Sequence, residues 1–211
     1  MTHSKKNYWG VLLLIEIFFL IFLTGFFPER WHSLLFPILY STLYLTTVGS
    51  LEKNKKVMLR VAAGLLIAQG LFKLFNMPVI EAISKTLNVC FFSFIVISFI
   101  RQISQAKQVS ERVILEAVNG YLLLGLVFAF LIGAMIQFDP IAYSFSQEAA
   151  TIHNSLYYGF ITFATVGYGD LLPLKPYAKS LSILIAVSGQ LYIAVIIALL
   201  VGKFSSQSKR E

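Results

Sequence analysis

Charge is what this chain has least of. Lys, Arg, Asp and Glu make up 13% of its 211 residues, where soluble domains carry about 25%. Cysteine is nearly absent: Cys90 is the only one, so no intrachain disulfide can form, and its place in an apolar run gives it the expectation of a small buried hydrophobe. No internal repeat or low-complexity linker breaks the chain, and no metal-ligand cluster, catalytic triad or phosphate-binding glycine loop is visible in it. Enzymatic chemistry and a bound cofactor are therefore not expected. The net charge of +7 forms no basic face interleaved with aromatics, so a nucleic-acid partner is not expected either.

What the chain has in abundance is apolar length. Hydrophobic residues reach 57% and the mean hydropathy is +0.77. Tyr8–Phe27 runs for 20 residues with one charge, Glu16; as a helix it reaches ~30 Å, the thickness of a bilayer core. Lys5 and Lys6 before it resemble a signal peptide, but the run is longer than such a segment needs, and "PERWHS" after it offers no small-x-small cleavage site. It is expected to remain as a first spanning helix. Five more apolar segments follow at Ser33–Gly49, Val57–Phe75, Val79–Ile100, Val113–Ile136 and Ala178–Gly202, the third and fourth spans separated by Asn76–Pro78, a tight helical hairpin.

With the N-terminus cytoplasmic, 12 of the 17 Lys and Arg residues fall on one side. The positive-inside rule then predicts six spans with both termini inside, in a multi-pass plasma-membrane protein. Trp9 and Trp31 stand near the two ends of the first span, as headgroup anchors or as packing residues. The expected organisation is a four-helix membrane domain over 1–100, a cytoplasmic linker over 101–112 able to meet anionic lipid headgroups, a second membrane domain over 113–203 that holds the last two spans, and a short cytoplasmic tail over 204–211.

The segment between the last two spans is irregular. Phe138–Ala150, "FDPIAYSFSQEAA", reads as a polar, turn-rich outer loop. Thr151–Ala164, "TIHNSLYYGFITFA", is apolar and helical in pattern but has 14 residues, ~21 Å of helix, too short to span. "LLPLKP" then interrupts the chain. A short helix with an irregular return is a re-entrant loop, a backbone tolerated at membrane depth only where protein buries it or water lines it.

On the return limb lies "TVGYGD", Thr165–Asp170. A Gly-rich hexamer is ordinarily a turn, but a turn has no need of a Thr-Val start between apolar stretches. A dehydrated cation needs oxygens in place of its water, and backbone carbonyls supply them as neutral dipoles. Turning successive carbonyls one way needs backbone angles that Gly167 and Gly169 adopt freely. The Thr165 hydroxyl adds an oxygen at the inner end, while Val166 and Tyr168 are expected to point away from the axis and wedge against the short helix. A single chain makes only one wall of such a pore.

The hexamer resembles the signature of potassium channels, a match of sequence to a known filter and not a derivation. Together with "SLYYGFITFATVGYGDLLP" and "AKSLSILIAVSGQLYIAVIIALLVG", the resemblance covers Val113–Gly202 and is to the pore module of six-helix bacterial potassium channels. It implies an all-α homotetramer with six transmembrane helices, a re-entrant pore helix and a filter, conducting potassium passively. Carbonyls of Thr165, Val166, Gly167 and Tyr168 would coordinate potassium ions, with Gly169 completing the filter. The pattern departs at Ala164, where many filters carry a second threonine. It departs again at Ile161, where some carry a carboxylate that pairs with the acid after the filter. Asp170 then needs another partner, Tyr157 or Tyr158.

In the last span Gly189 resembles a hinge glycine, although close packing explains a membrane-helix glycine equally well. Gln190, Ile193, Ile197 and Val201 recur along one face and either line a cavity or, for Gln190, bond a neighbouring helix. Glu16, Lys73, Glu81 and Lys85 are intramembrane ionisable residues; Glu81 and Lys85, four apart, can pair on one helix. His153 near the outer mouth is a pH-sensing candidate or simply a polar helix start. The fourth span carries no Arg array, so a shallow voltage response is expected. A weakly selective cation channel is one alternative. A subunit of an active potassium-uptake system is another, against which the single loop with both glycines argues.

Overall fold

The computed structural model describes residues 4–75, 78–145 and 151–208, with side chains described over these ranges except at 4–7, 29, 33, 71–82, 84–85, 151 and 206–208. Its regular elements there are helices: α1 (Ser4–Phe18), α2 (Glu29–Ser50), α3 (Lys55–Phe75), α4 (Pro78–Gln105), α5 (Glu111–Phe138), α6 (Thr151–Phe163) and α7 (Pro176–Ser208). A π turn, Phe19–Leu23, and a tighter 3-10 turn, Thr24–Phe26, prolong α1. Four stretches are long and apolar enough to cross a membrane: Tyr8–Phe26, Thr86–Gln105, Glu111–Phe138 and Pro176–Ser205. The chain is thus an all-helical, multi-pass membrane protein. α2 and α3 have 22 and 21 residues, ~32 Å each, so they have the length of a span but less of its apolar character.

Contacts at the helix ends set their alternation. At one end, the Asn119 side-chain amide donates to the Gly10 carbonyl (2.9 Å), joining the early turns of α5 and α1. Lys203, late in α7, donates to the Ser104 carbonyl (2.7 Å) and to that of Ala106, capping the end of α4. Arg112 lies 2.5 Å from Glu52, beyond α2, and 2.8 Å from Glu116, one turn on; its guanidinium also donates to Gln102 of α4 (3.3 Å). At the other end, His32 of α2 meets His153 of α6, and Tyr177 of α7 donates to Asp139 after α5. Lys53, Lys55, Lys56, Arg60, Arg101, Lys107, Arg112 and Lys203 fall toward the first end, which is how the sequence groups them.

α5 is the wall shared by two cores. Leu123, Leu126 and Val127 pack with Leu13 and Ile17 of α1, Tyr44 of α2 and Phe92 and Phe99 of α4. Phe128, Ile132 and Ile136 pack instead with Tyr143, Phe145, Tyr158, Phe163 and Ile185. The first helices and α6 therefore lean on one element.

α4 stays helical to Gln105 and α5 begins at Glu111, so the irregular chain between them is short. Two expectations are corrected here. Cys90 is exposed on α4, since Phe91, Phe92 and Ile95 take the inward positions. The outer loop is not uniformly polar: Ala142, Tyr143 and Phe145 are buried, and the two rings pack against Tyr158 of α6. Residues 146–150 lie outside the described residues. Trp9 packs over Gly49, where a Cβ would come within 2.4 Å of its indole, while remaining partly exposed.

Glu116 is buried and relies on Arg112 for its counter-charge. Arg112→Met should therefore destabilise the protein by about 3 kcal/mol, the scale for a buried charge left unpaired. Glu52→Gln, at the exposed partner, should cost under about 1 kcal/mol. Thermal denaturation in detergent measures both, and equal effects would contradict this ranking.

Candidate functional site

α6 owes its position to small residues. A Cβ on Gly125 of α5 would sit 2.4 Å from the Phe160 ring, and one on Gly159 would meet the backbone of Ala129 at 3.5 Å. With 13 residues the helix is ~20 Å long, about as the sequence predicts, and it ends part-way along α7.

How it ends decides the site. Thr165 N–H donates to the Thr162 carbonyl (3.0 Å), and Val166 N–H reaches back to the Ile161 carbonyl (2.8 Å). With Thr165 left-handed at a φ of 59°, this is the Schellman arrangement, with threonine where glycine usually stands. A left-handed residue with a Cβ is strained by roughly 1–2 kcal/mol. Gly167 N–H adds a further bond to the Ile161 carbonyl (3.2 Å), so two donors beyond the helix converge on one oxygen.

From there φ alternates in sign. Thr165, Gly167 and Gly169 are positive at 59°, 54° and 80°, while Val166 and Tyr168 are not. Alternating handedness gathers successive N–H groups on one side and leaves the carbonyls on the other. An extended strand would point them alternately to both sides. A Cβ on Gly167 would touch nothing within 4 Å; glycine is needed there for its backbone angle, not for space.

At the outer end, the Tyr157 hydroxyl donates to Asp170 Oδ2 (2.7 Å). This donated bond holds the Asp170 carboxyl below the usual carboxylate range. Tyr158, the other candidate partner, does not reach Asp170: it is buried between Tyr143 and Phe145 and bonds Ser182 of α7 at 2.6 Å. Tyr157 and Tyr158 are adjacent on a helix, so they face different ways. Beyond Asp170 the return limb pairs with the outer loop. Ser144 N–H donates to the Leu172 carbonyl (2.9 Å) and Leu174 N–H to that of Ala142 (2.8 Å), while Leu172 N–H donates to Ser144 Oγ (2.9 Å). Asp139 anchors this loop by accepting from Ile141 N–H (3.0 Å) and from Tyr177. These bonds, the Tyr177 hydroxyl first, keep its carboxyl low.

At the inner end, Gln190 Nε2 donates to Thr165 Oγ1 (3.1 Å). Gln190 thus bonds Thr165 itself, not a neighbouring helix. A Cβ on Gly189 would lie 2.0 Å from the Phe163 carbonyl oxygen. Close packing of α7 against the end of α6 therefore suffices to explain this glycine, and α7 runs through it as one helix. Ile193, Ile197 and Val201 are exposed on α7, beneath Gln190 on the same face.

The wedge expected of Val166 and Tyr168 is not made within one chain. They are 53% and 72% exposed, because the alternating backbone turns them away from their own α6. Glu16 is satisfied by hydroxyls of α2, accepting from Thr46 (2.6 Å) and from Thr42. The side chains of Lys73, Glu81 and Lys85, and any pairing between the last two, lie outside the described residues. His153 is not simply a polar helix start, since it meets His32. Asp139 and Ser144 were not singled out from sequence; the Asp-Pro step at 139–140 is the turn signal that points to the first, and nothing local marks the second.

Gly189→Ala must push the end of α6 away. The expected destabilisation is about 1–3 kcal/mol, read as a lowered melting temperature, and an unchanged melt would place the α6–α7 crossing elsewhere. For Asp170, a depressed carboxyl means that the bond from Tyr157 is present above the ordinary carboxylate range and lost only as pH falls through the lowered value. In Tyr157→Phe the Asp170 titration should move up toward the ordinary ~3.9, while Tyr158→Phe should leave it in place. Carboxyl carbon NMR resolves the two.

Residues 120–206 match a family model described as ion channel. Among curated proteins, the A-type voltage-gated potassium channel KCND3 of Homo sapiens is 33% identical over 86 residues, 41% of this chain and 13% of that protein. Potassium voltage-gated channel subfamily A member 4 of Homo sapiens is 31% identical over 93 residues, 42% of this chain and 14% of that protein. The chain thus spans about an eighth of the length of the curated relatives it matches. No solved structure gives a significant match. The matched stretch 120–206 contains α6, Thr165–Asp170 and most of α5 and α7, so the segment that builds this site is ion-channel-like in sequence.

Proposed function

We propose that this chain is a subunit of a potassium-selective channel that conducts passively through the axis of a homotetramer. The observation that carries the reading is the alternation of φ along Thr165–Gly169. Such alternation supports a row of same-facing carbonyls, which would replace the water of a dehydrated cation without the tight hold of a carboxylate. Potassium ions are the cargo, coordinated by carbonyls of Thr165, Val166, Gly167 and Tyr168 and by the Thr165 hydroxyl, which Gln190 orients. α6 directs the partially negative end of its dipole toward the inner mouth, which favours a cation there.

One chain supplies a single wall, and its exposed Val166, Tyr168 and outer face of α7 are surfaces that neighbouring copies would cover. Six spans follow if α2 and α3 cross with the four more apolar stretches, leaving both termini and the cation-rich end cytoplasmic. Ala164 in place of a threonine keeps a weakly selective cation channel as the alternative. An active uptake subunit would need several degenerate loops, and this chain has one.

Single-channel recording of the purified protein in a lipid bilayer tests the reading: potassium currents should greatly exceed sodium currents, and native mass measurement should give four copies. Gly167→Ala keeps the space but forces a Cβ into left-handed backbone, at roughly 1–2 kcal/mol per chain. Conduction should be lost or become non-selective while the protein still inserts in the membrane. Normal selectivity in this variant would sink the carbonyl-filter assignment.

A further inference from the structure

Two of the chain's three histidines come together far from the filter backbone. His32 stands near the start of α2 and His153 near the start of α6. His153 Nε2 is 3.4 Å from His32 Nδ1, and the ring centroids are 4.6 Å apart. The other nitrogen of His32, Nε2, is 3.2 Å from the Thr24 carbonyl oxygen in the turn after α1. We propose that His32 and His153 form a binding site for a borderline-soft divalent cation such as zinc, clamping α2 to the start of the re-entrant helix α6.

Two features of the geometry support this. A carbonyl can only accept, so His32 carries its proton on Nε2, and in the neutral ring this leaves Nδ1 as a bare lone pair facing His153. A histidine whose far nitrogen donates to a backbone carbonyl is the usual arrangement behind a metal-binding imidazole, since it fixes both tautomer and ring orientation. Thr24 is itself fixed: it is fully buried, and its hydroxyl donates to the Leu20 carbonyl (2.7 Å). The second feature is spacing. Two imidazoles bound to one tetrahedral ion at about 2.0–2.1 Å hold their nitrogens about 3.3–3.4 Å apart, the separation present here. Capture of the ion places the His153 proton on Nδ1, so that Nε2 offers its lone pair to the ion beside His32 Nδ1.

Among the described residues no third His, Cys, Asp or Glu joins the pair. Water would complete the coordination, and binding belongs in the micromolar range of a regulatory site, weaker than that of a closed structural one. Both rings are half-buried and packed against Phe36, whose stack with Tyr40 continues to Phe130 of α5. A bound ion would therefore brace α6 against α2 across an aromatic column. Imidazole ligation selects zinc, copper or nickel over magnesium or calcium.

The site is independent of conduction, so its test uses binding alone. Zinc chloride titrated calorimetrically into the purified full chain in detergent, free of any polyhistidine tag, should bind at one ion per chain. His32→Gln and His153→Gln, which keep a polar group in place, should each weaken binding by at least about tenfold. Cobalt(II) added to the unaltered protein should give the intense visible absorption of a four-coordinate ion, a readout that needs no variant to fold. Absence of that band, or stoichiometric zinc binding that survives both substitutions, would overturn the proposal.

Discussion

The left-handed conformation of Thr165 is the constraint on which the rest of the site depends. A residue with a Cβ resists that region, and it is held there by the reach of Val166 and Gly167 back to one carbonyl, that of Ile161. Once Thr165 is left-handed, the sign alternation of φ through Gly169 has a fixed starting phase. The hydroxyl of Thr165 is oriented in turn by Gln190. α7 thus acts on Thr165 through one side-chain bond as well as through packing.

That strained segment is held from three directions. Gly189 lets α7 approach the last carbonyl of α6, and Gly125 with Gly159 lets α5 approach its side. Any Cβ at the first would displace backbone; at the second it would meet a ring that can turn. At the outer end Tyr157 and the short pairing between 142–144 and 172–174 fix where the return limb leaves. Buried Ala142, Tyr143 and Phe145 give that pairing an apolar footing. With apolar packing beneath and hydrogen bonds above, Thr165–Gly169 remains uncovered on the side where a neighbouring copy would sit.

The peripheral helices connect to this pore-like unit by polar ties at both ends of the bundle. Arg112, Glu52, Gln102 and Glu116 tie α2, α4 and α5 at the cation-rich end, and Lys203 joins the end of α7 to the end of α4. At the opposite end the His32–His153 pair reaches α6 from α2, with the Phe36 ring of α2 packed beside both imidazoles.

Much of this was determined by sequence alone. Hydropathy and length make the chain an all-helical membrane protein, because unpaired backbone cannot cross lipid. The 13-residue α6 was legible because its apolar run is too short to span and is followed by proline-broken chain. The positive φ of Gly167 and Gly169 was legible because glycine adopts that region without a steric cost. Tertiary structure decided what depends on facing direction and distance. It chose Tyr157 over Tyr158 for Asp170, since neighbours on a helix point about 100° apart. It made Gly189 a packing contact and turned Val166 and Tyr168 outward. It buried three residues of a loop that composition marks as polar, and it brought together histidines 121 residues apart. Periodicity cannot encode such pairings, because each arises where two helices happen to cross, and the crossing is set by packing of the whole bundle.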